Sequence, residues 1–521
     1  MGMLLLLLYL ALLVTILAVT CILLAHLWFR ISMTAKNFEN FPTYGAANPQ
    51  LVFWKQYWQS RNFKSDQIPI FSNLLELLSA EAYIFQREGV FLKWFGFTPY
   101  IFIYKAEYIK EVINSRVADD KSKDYVAFEP IMGTGLVTSN GKKWRNRRKL
   151  IQPCVHMRNL SKLIPIFNEY SLVLVGKLKE KVNEPWIHAE DMIIACAVDI
   201  IFRTAMGIRV GAQERFHEIS EILVVGEELT KLMIDRLSHP WLWYDTIFYC
   251  TSAGRKFQRA ENKLRNVVRK VIQEGKEILE AKERHIKLGQ YSENKNKIFF
   301  EILLEELAKD KNFTYNDIVE ESITFIYAGF DTSSSALNWV LCLLGLHSDI
   351  QDKVFQELYS IFGDDKTREV TIHDVKNLVY LEQVIKETLR LYPSVPIIGR
   401  ENKEVIKIGS YVVPRGSRIG ILINMLHKNP DMFPNPEKFD PERFSPENSS
   451  ERDAFSYLPF SCGARTCLGS TFAMIQMKII LAHVLRNFSV TTLDPLDKIN
   501  IMMTLTLKCL NPPRLRFSSH A

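Results

Sequence analysis

The stretch that most limits how this chain can fold is TYNDIVEESITFIYAGFDTSSSALNWVLCLLGL, Thr314 to Leu346. Thr314 and Asp317 have the spacing of a capping box, and the apolar run beyond them is long for a helix of a water-soluble body. At 1.5 Å per residue such a helix extends roughly 45 Å and crosses most of a domain. Its middle carries Ala328, Gly329, Asp331, Thr332 and Ser333, small and polar residues inside an apolar rod. Two readings stand open: a close contact with a neighbouring helix, with the hydroxyls bonded back to their own backbone, or a distorted turn lining a cavity.

A chain of 521 residues with 47% apolar content can bury one large core or two or three domains. Charged residues make up 24% and the net charge is +7, a mildly basic surface rather than a nucleic-acid-binding tail. The eight cysteines are scattered, which excludes a disulfide scaffold and fits a reducing compartment. From about residue 50 to 395 the pattern is mostly helical, whereas Glu404 to Leu422 is β-branched and punctuated by Gly and Pro. The expected fold is therefore mostly α with a small β region and no clear second domain. Ala281 to Lys297 reads as an exposed connection.

Met1 to Arg30 holds no charged side chain before Arg30, which satisfies the ~20 apolar residues a membrane-spanning helix needs. A cleaved signal peptide is disfavoured, because the basic start is missing and the apolar run is too long. The organisation expected is a transmembrane signal-anchor over 1–29, a linker over 30–60 and one large domain over 61–521. Arg30 and Lys36 follow the span with no basic residue before it, which places the body on the cytosolic face.

Chemistry concentrates in FSCGARTCLG, Phe460 to Gly469. A cysteine just before a helix can have its thiolate stabilised by the helix dipole and backbone amides, which suits a metal ligand. Zinc fits poorly, since the next Cys or His residues after Cys467 are His483 and Cys509. Phe460, Gly463, Arg465, Cys467 and Gly469 match Phe-x-x-Gly-x-Arg-x-Cys-x-Gly, so the segment resembles the haem-binding loop of the cytochrome P-450 superfamily. Further matches follow in the family's order: Glu387 and Arg390 in KETLR, Arg443 in FDPERF, AGFDTS in the long helix, and Trp144 with Arg148 in WRNRR. The resemblance runs from about residue 80 to the end.

That resemblance implies a cytochrome P-450 fold behind the membrane anchor, and haem b with Cys467 as its axial thiolate, a donor that favours O–O cleavage. Phe460 would pack beside the sulfur, while Trp144, Arg148, Arg400 and Arg465 match positions that hold the haem propionates. Asp331 and Thr332 look like the acid–alcohol pair that delivers protons, with Ala328 and Gly329 leaving room against an opened helical turn. Glu387, Arg390 and Arg443 match a buried charge cluster supporting the loop. GKKWRNRRK, Gly141 to Lys149, has six cations, and those other than Arg148 would face outward, toward an acidic flavoprotein reductase.

Within the superfamily, Gly133 to Pro153 looks most like the animal group of fatty-acid ω-hydroxylases and insect detoxification enzymes. The central helix keeps six of thirteen positions of that group's pattern and has Ala328 where a Glu can esterify haem, so the haem should not be ester-linked. Apolar segments at 128–136, 323–328, 395–398 and 502–507 match pocket-lining regions and imply a lipophilic substrate.

The expectation is a monooxygenase on the endoplasmic reticulum membrane that takes O2 and electrons from NADPH-cytochrome reductase, with cytochrome b5 as an optional second donor. No nucleic acid is involved. A haem-thiolate isomerase or dehydratase acting on hydroperoxides is a second reading, which retention of Asp331 and Thr332 argues against. A non-catalytic member of the fold is a third.

Overall fold

The computed structural model describes residues 9, 13–22, 25, 31, 34–44, 70–95, 97–287 and 297–520. The capping box expected at the start of the central helix is present. Thr314 Oγ1 accepts the Asp317 amide at 3.3 Å, and the Asp317 carboxylate accepts the Thr314 amide at 2.8 Å. The helix runs from Tyr315 to Leu346, and most of its side chains are buried. It is housed as its composition requires, with the helices Glu190–Ile201, Val379–Leu391 and Ser470–Asn487 packed around it. Leu337, Val340, Leu341 and Leu344 meet Leu389, Ile479 and Val484 in the largest apolar core.

Two features depart from the sequence reading. The segment VFLKWF–TPYIFI falls where a helical pattern is expected, yet Val90–Phe95 and Thr98–Ile103 are strands paired antiparallel. Aromatic and β-branched side chains favour a pleated surface, and this preference outweighs the helical trend of their neighbours. Thr98–Ile103 then pairs in parallel with Arg418–Leu422, which pairs antiparallel with Ile397–Glu401 to complete a four-stranded sheet. The second departure concerns residues 281–297. The long helix Ser252–Lys287 continues into this expected connection, whose middle lies outside the described residues.

Most of the anchor expected over 1–29 and of the linker over 30–60 also lies outside the described residues. Among the described residues no helix is long and apolar enough to cross a membrane. Those of the anchor that are described, 9, 13–22 and 25, are helical and exposed.

Candidate active site

A cavity of about 580 Å³ lies between the central helix and the cysteine loop. Cys467 lines one wall, and Ala328, Gly329, Asp331, Thr332 and Ser333 line another. The loop owes its shape to local rules. Gly463 has φ +68°, and a Cβ there would also lie 2.6 Å from Ile113 Cγ2, so a side chain is excluded twice over. Ser461 holds φ +62°, and its hydroxyl accepts a bond from Arg400 at 3.2 Å. The Cys467 amide donates to the Phe460 carbonyl at 2.8 Å, closing the loop.

The Cys467 side chain is exposed to the cavity, with protein around it on its other sides. Burial pushes its thiol up, against the pull of the Gly469 N–H, Arg148 and Lys121. The helix start and its amide thus act in the expected direction but do not outweigh desolvation. A cation in the cavity would supply the missing stabilisation of the thiolate. Cys462 is half-buried against the apolar cluster beneath the sheet, and its thiol is also pushed up by burial.

Of the expected arginines, Arg148 and Arg465 line this cavity, and Arg400 reaches the loop through Ser461. Arg465 donates to the carbonyls of Asp119 and Ser139, both at 2.9 Å, and to Asn140 Oδ1 at 2.7 Å. Its guanidinium lies 3.8 Å from the ring centre of the buried Trp144. Trp144 therefore stacks on the loop arginine, and Arg148 instead donates to the Thr466 carbonyl at 2.6 Å. Arg400 is only 1% exposed.

Sequence reasoning missed Lys121, whose ammonium lines the same cavity 4.2 Å from the ring centre of Tyr125. Burial and the charges of Arg400 and Arg465 hold Lys121 well below the ordinary lysine range. Burial and Arg400 bring Arg465 down to about 10. Among the described residues, the nearest carboxylate paired with any of these four cations is Asp120, 3.8 Å from Arg465 and already bonded to Lys403. Clustered positive charge with so little neutralisation is unfavourable in isolation, and it fits a bound dianion such as the paired propionates of haem. Lys121 is one of two lysines in the segment DDKSKDY, which carries no motif, so the sequence did not single it out.

Gly329 serves the helix contact: a Cβ there would lie 2.4 Å from Ile201 Cδ1 of the Glu190–Ile201 helix. The opened turn expected beside it is not formed, since the helix is continuous from 315 to 346. The Thr332 hydroxyl donates to the Ala328 carbonyl at 2.7 Å, the back-bonding that small hydroxyl residues favour inside helices. Both readings of this segment therefore hold in part, a close helix contact and a cavity wall.

Glu387 and Arg390 are fully buried and form a two-toothed ion pair, with N–O distances of 2.7 and 2.8 Å. Arg443 Nε stands 3.4 Å from Glu387, and the Asp440 amide donates to it at 2.9 Å. Arg390 also donates to the His427 carbonyl at 3.0 Å, and His427 Nε2 accepts the Leu458 amide at 2.8 Å. Burial and the Arg390 charge hold His427 down to about 3, so it remains the neutral acceptor that bond requires. The cluster thus reaches Leu458, in the irregular segment leading into the cysteine loop, through a histidine the sequence reading did not name.

Among the cations of Gly141–Ile151, Lys142, Arg145 and Lys149 are exposed as expected. Lys143 and Arg147 turn inward instead. Arg147 lies 2.6 Å from Asp317, and Lys143 3.3 Å from the same carboxylate, at the start of the central helix. The expected pocket segments contribute Met132, Leu136, Phe325, Val395, Ile398 and Leu505 to a predominantly apolar wall.

Comparison with known proteins agrees with this geometry. The sequence model of the family described as Cytochrome P450 matches residues 65–517. Cytochrome P450 4V2 of Mus musculus is 36% identical over 477 residues, covering 88% of this chain and 90% of the relative. Cytochrome P450 4c3 of Drosophila melanogaster is 34% identical, covering 81% of this chain and 80% of the relative. The crystal structure of the cytochrome P450DA heme domain superposes with a TM-score of 0.72 at 21% identity, covering 86% of this chain and 93% of that one.

Proposed function

From the premise that this chain belongs to the cytochrome P450 family, close to its family 4 relatives, and is a haem monooxygenase, we propose that it oxidises a lipophilic substrate beside Cys467. The observation that carries this is one cavity with a cysteine on one wall, the poorly neutralised cations Lys121, Arg148 and Arg465 in its lining, and a predominantly apolar remainder. Haem held there supplies the activation of O2. Cys467 is the residue that ligates its iron. Arg148, Arg400, Arg465 and Lys121 hold its propionates, with Trp144 keeping Arg465 in place. Phe460 packs beside the sulfur. Asp331 and Thr332 move protons at the cavity wall, and the apolar wall excludes water and orients the substrate.

Electrons come from an NADPH-cytochrome reductase docking at the exposed Lys142, Arg145 and Lys149, with cytochrome b5 as an optional second donor. The site of action is the cytosolic face of the endoplasmic reticulum membrane. Support for an anchor comes from the helical residues 13–22, whose Leu13, Val14, Ile16, Leu17, Val19 and Ile22 are exposed and would be shielded by lipid.

Two measurements check this reading. Purified protein with reductase, NADPH and a panel of fatty acids, terpenoids and xenobiotics under isotopically labelled O2 is expected to place one labelled atom in the product. Turnover of hydroperoxides alone, without NADPH, would instead establish the isomerase reading. Because Ala328 has no carboxylate to form an ester, acid–organic extraction is expected to remove all the haem from the polypeptide. Haem retained on the denatured chain would refute the non-covalent attachment.

A further inference from the structure

The loop Gly133–Thr138 contributes Leu136 and Val137 to the cavity wall and is tied to the first turns of the central helix. The Leu136 amide donates to Glu321 Oε2 at 3.0 Å, the Thr134 hydroxyl donates to Glu320 Oε2 at 2.9 Å, and Thr324 Oγ1 donates to the Met132 carbonyl at 3.0 Å. Loop and helix approach closely, since a Cβ on Gly135 would lie 2.5 Å from Thr324 Oγ1. Glu321 is only 1% exposed, and its second oxygen, Oε1, has no hydrogen bond among the described residues. Arg147 Nε stands 3.4 Å from that oxygen, but this guanidinium is already paired with Asp317 at 2.6 Å. An ionised carboxylate is poorly served in such a place, whereas a neutral carboxyl costs less to bury there.

From this geometry we propose that Glu321 is a positioning residue for substrate: while protonated it holds the wall loop Gly133–Thr138 against the central helix, and on ionising it releases the loop into water. The proposal rests on the reading of the cavity as the substrate site. One proton passes from the carboxyl to bulk water as the loop lifts, and no electron moves.

The charged groups facing Glu321 are Arg147 and Lys143 of the basic helix and Glu320 of its own helix. Asp317 and Glu129 are the other carboxylates near those cations. Burial pushes the Glu321 carboxyl up to about 7, against the pull of the Leu136 amide, Arg147 and Lys143, whereas the ordinary value in water is 4.5. The closed loop therefore holds this proton more tightly than the lifted loop does. Its advantage is complete below the ordinary value and is lost as pH rises through about 7. Substrate resting on Leu136 and Val137 loses affinity over the same range.

The test uses the full haem-loaded chain, wild type beside Glu321→Gln and Glu321→Ala, at about pH 6 and about pH 8. Dodecanol, whose charge does not change over this range, is the probe, and its binding is read from the haem absorbance. Wild type is expected to bind it about tenfold more weakly at the higher pH, the ratio that linkage gives for these two carboxyl values. Hydrogen-exchange protection of the peptide 133–139 should fall in parallel. Glu321→Gln, neutral throughout, is expected to keep tight binding and strong protection at both pH values. Glu321→Ala should be weak and poorly protected at both. The same pH dependence in Glu321→Gln as in wild type, or none in wild type, overturns the proposal. If Glu321→Gln does not fold, Glu321→Ala decides: a pH dependence that persists there overturns the proposal, and its loss supports it. Dodecanol bound at neither pH, with the exchange pattern as expected, overturns the lipophilic-substrate reading and leaves the hold of Glu321 on the loop supported.

Discussion

Cys467→Ala is expected to remove the thiolate band from the carbon monoxide difference spectrum of the reduced protein and to reduce product formation to background, while Cys462→Ala leaves both in place. The two sulfurs are five residues apart, yet the fold gives them different surroundings. Cys467 faces the cavity, with Arg148 and Lys121 favouring its anionic form. Cys462 packs against apolar side chains beneath the sheet and is not part of that cavity's lining. Trimming its half-buried sulfur should change stability by about 1 kcal/mol or less. Since Cys467 accepts no structural bond that alanine would abolish, other than the one from the Gly469 amide, Cys467→Ala should remain folded by circular dichroism. A thiolate band that survives in Cys467→Ala would remove the ligand assignment.

The second large effect is on stability. Glu387→Ala is expected to destabilise the protein by about 3–5 kcal/mol, because it leaves Arg390 charged and buried without its partner. Burial pushes the Glu387 carboxyl up despite the pull of Arg390, Arg443 and the Asp440 amide, which shows how strongly desolvation opposes this pair. A buried ion pair contributes little net stability when intact, but losing one partner is costly. Urea unfolding measures the loss directly. Through Arg390, His427 and Leu458 the damage should reach the cysteine loop, so haem content should fall together with the unfolding midpoint. An unfolding midpoint within experimental error of wild type would show that the cluster does not support the loop. In Cys467→Ala the fold should survive and only the ligand be lost, which separates the two predictions.

How much of this was legible in the sequence depended on how local each feature is. The cysteine loop is ten consecutive residues, so its glycines, arginine and cysteine could be read together, and Gly463 does occupy the left-handed turn that such a loop needs. The capping box was legible for the same reason, since Thr314 and Asp317 are three residues apart. Lys121 was not, because its place beside Arg400 and Arg465 depends on chain that returns from far downstream in the sequence. The inward turn of Lys143 and Arg147 escaped too, as a basic run does not reveal which members face the acidic start of another helix. The strand pair at 90–103 was hidden by helical neighbours, and its sheet partners lie near the other end of the chain.

That last pairing bears on how the molecule is made. Tyr100 stands beside Arg418 in the sheet, so the strand Thr98–Ile103 has its parallel neighbour more than three hundred residues downstream. During synthesis at roughly 5–20 residues per second, this aromatic-rich edge waits on the order of tens of seconds before the matching segment leaves the ribosome. Cys467 emerges later still. The cofactor therefore cannot help to organise the early chain, and the unpaired edge is a place for chaperones to act and for aggregation to begin.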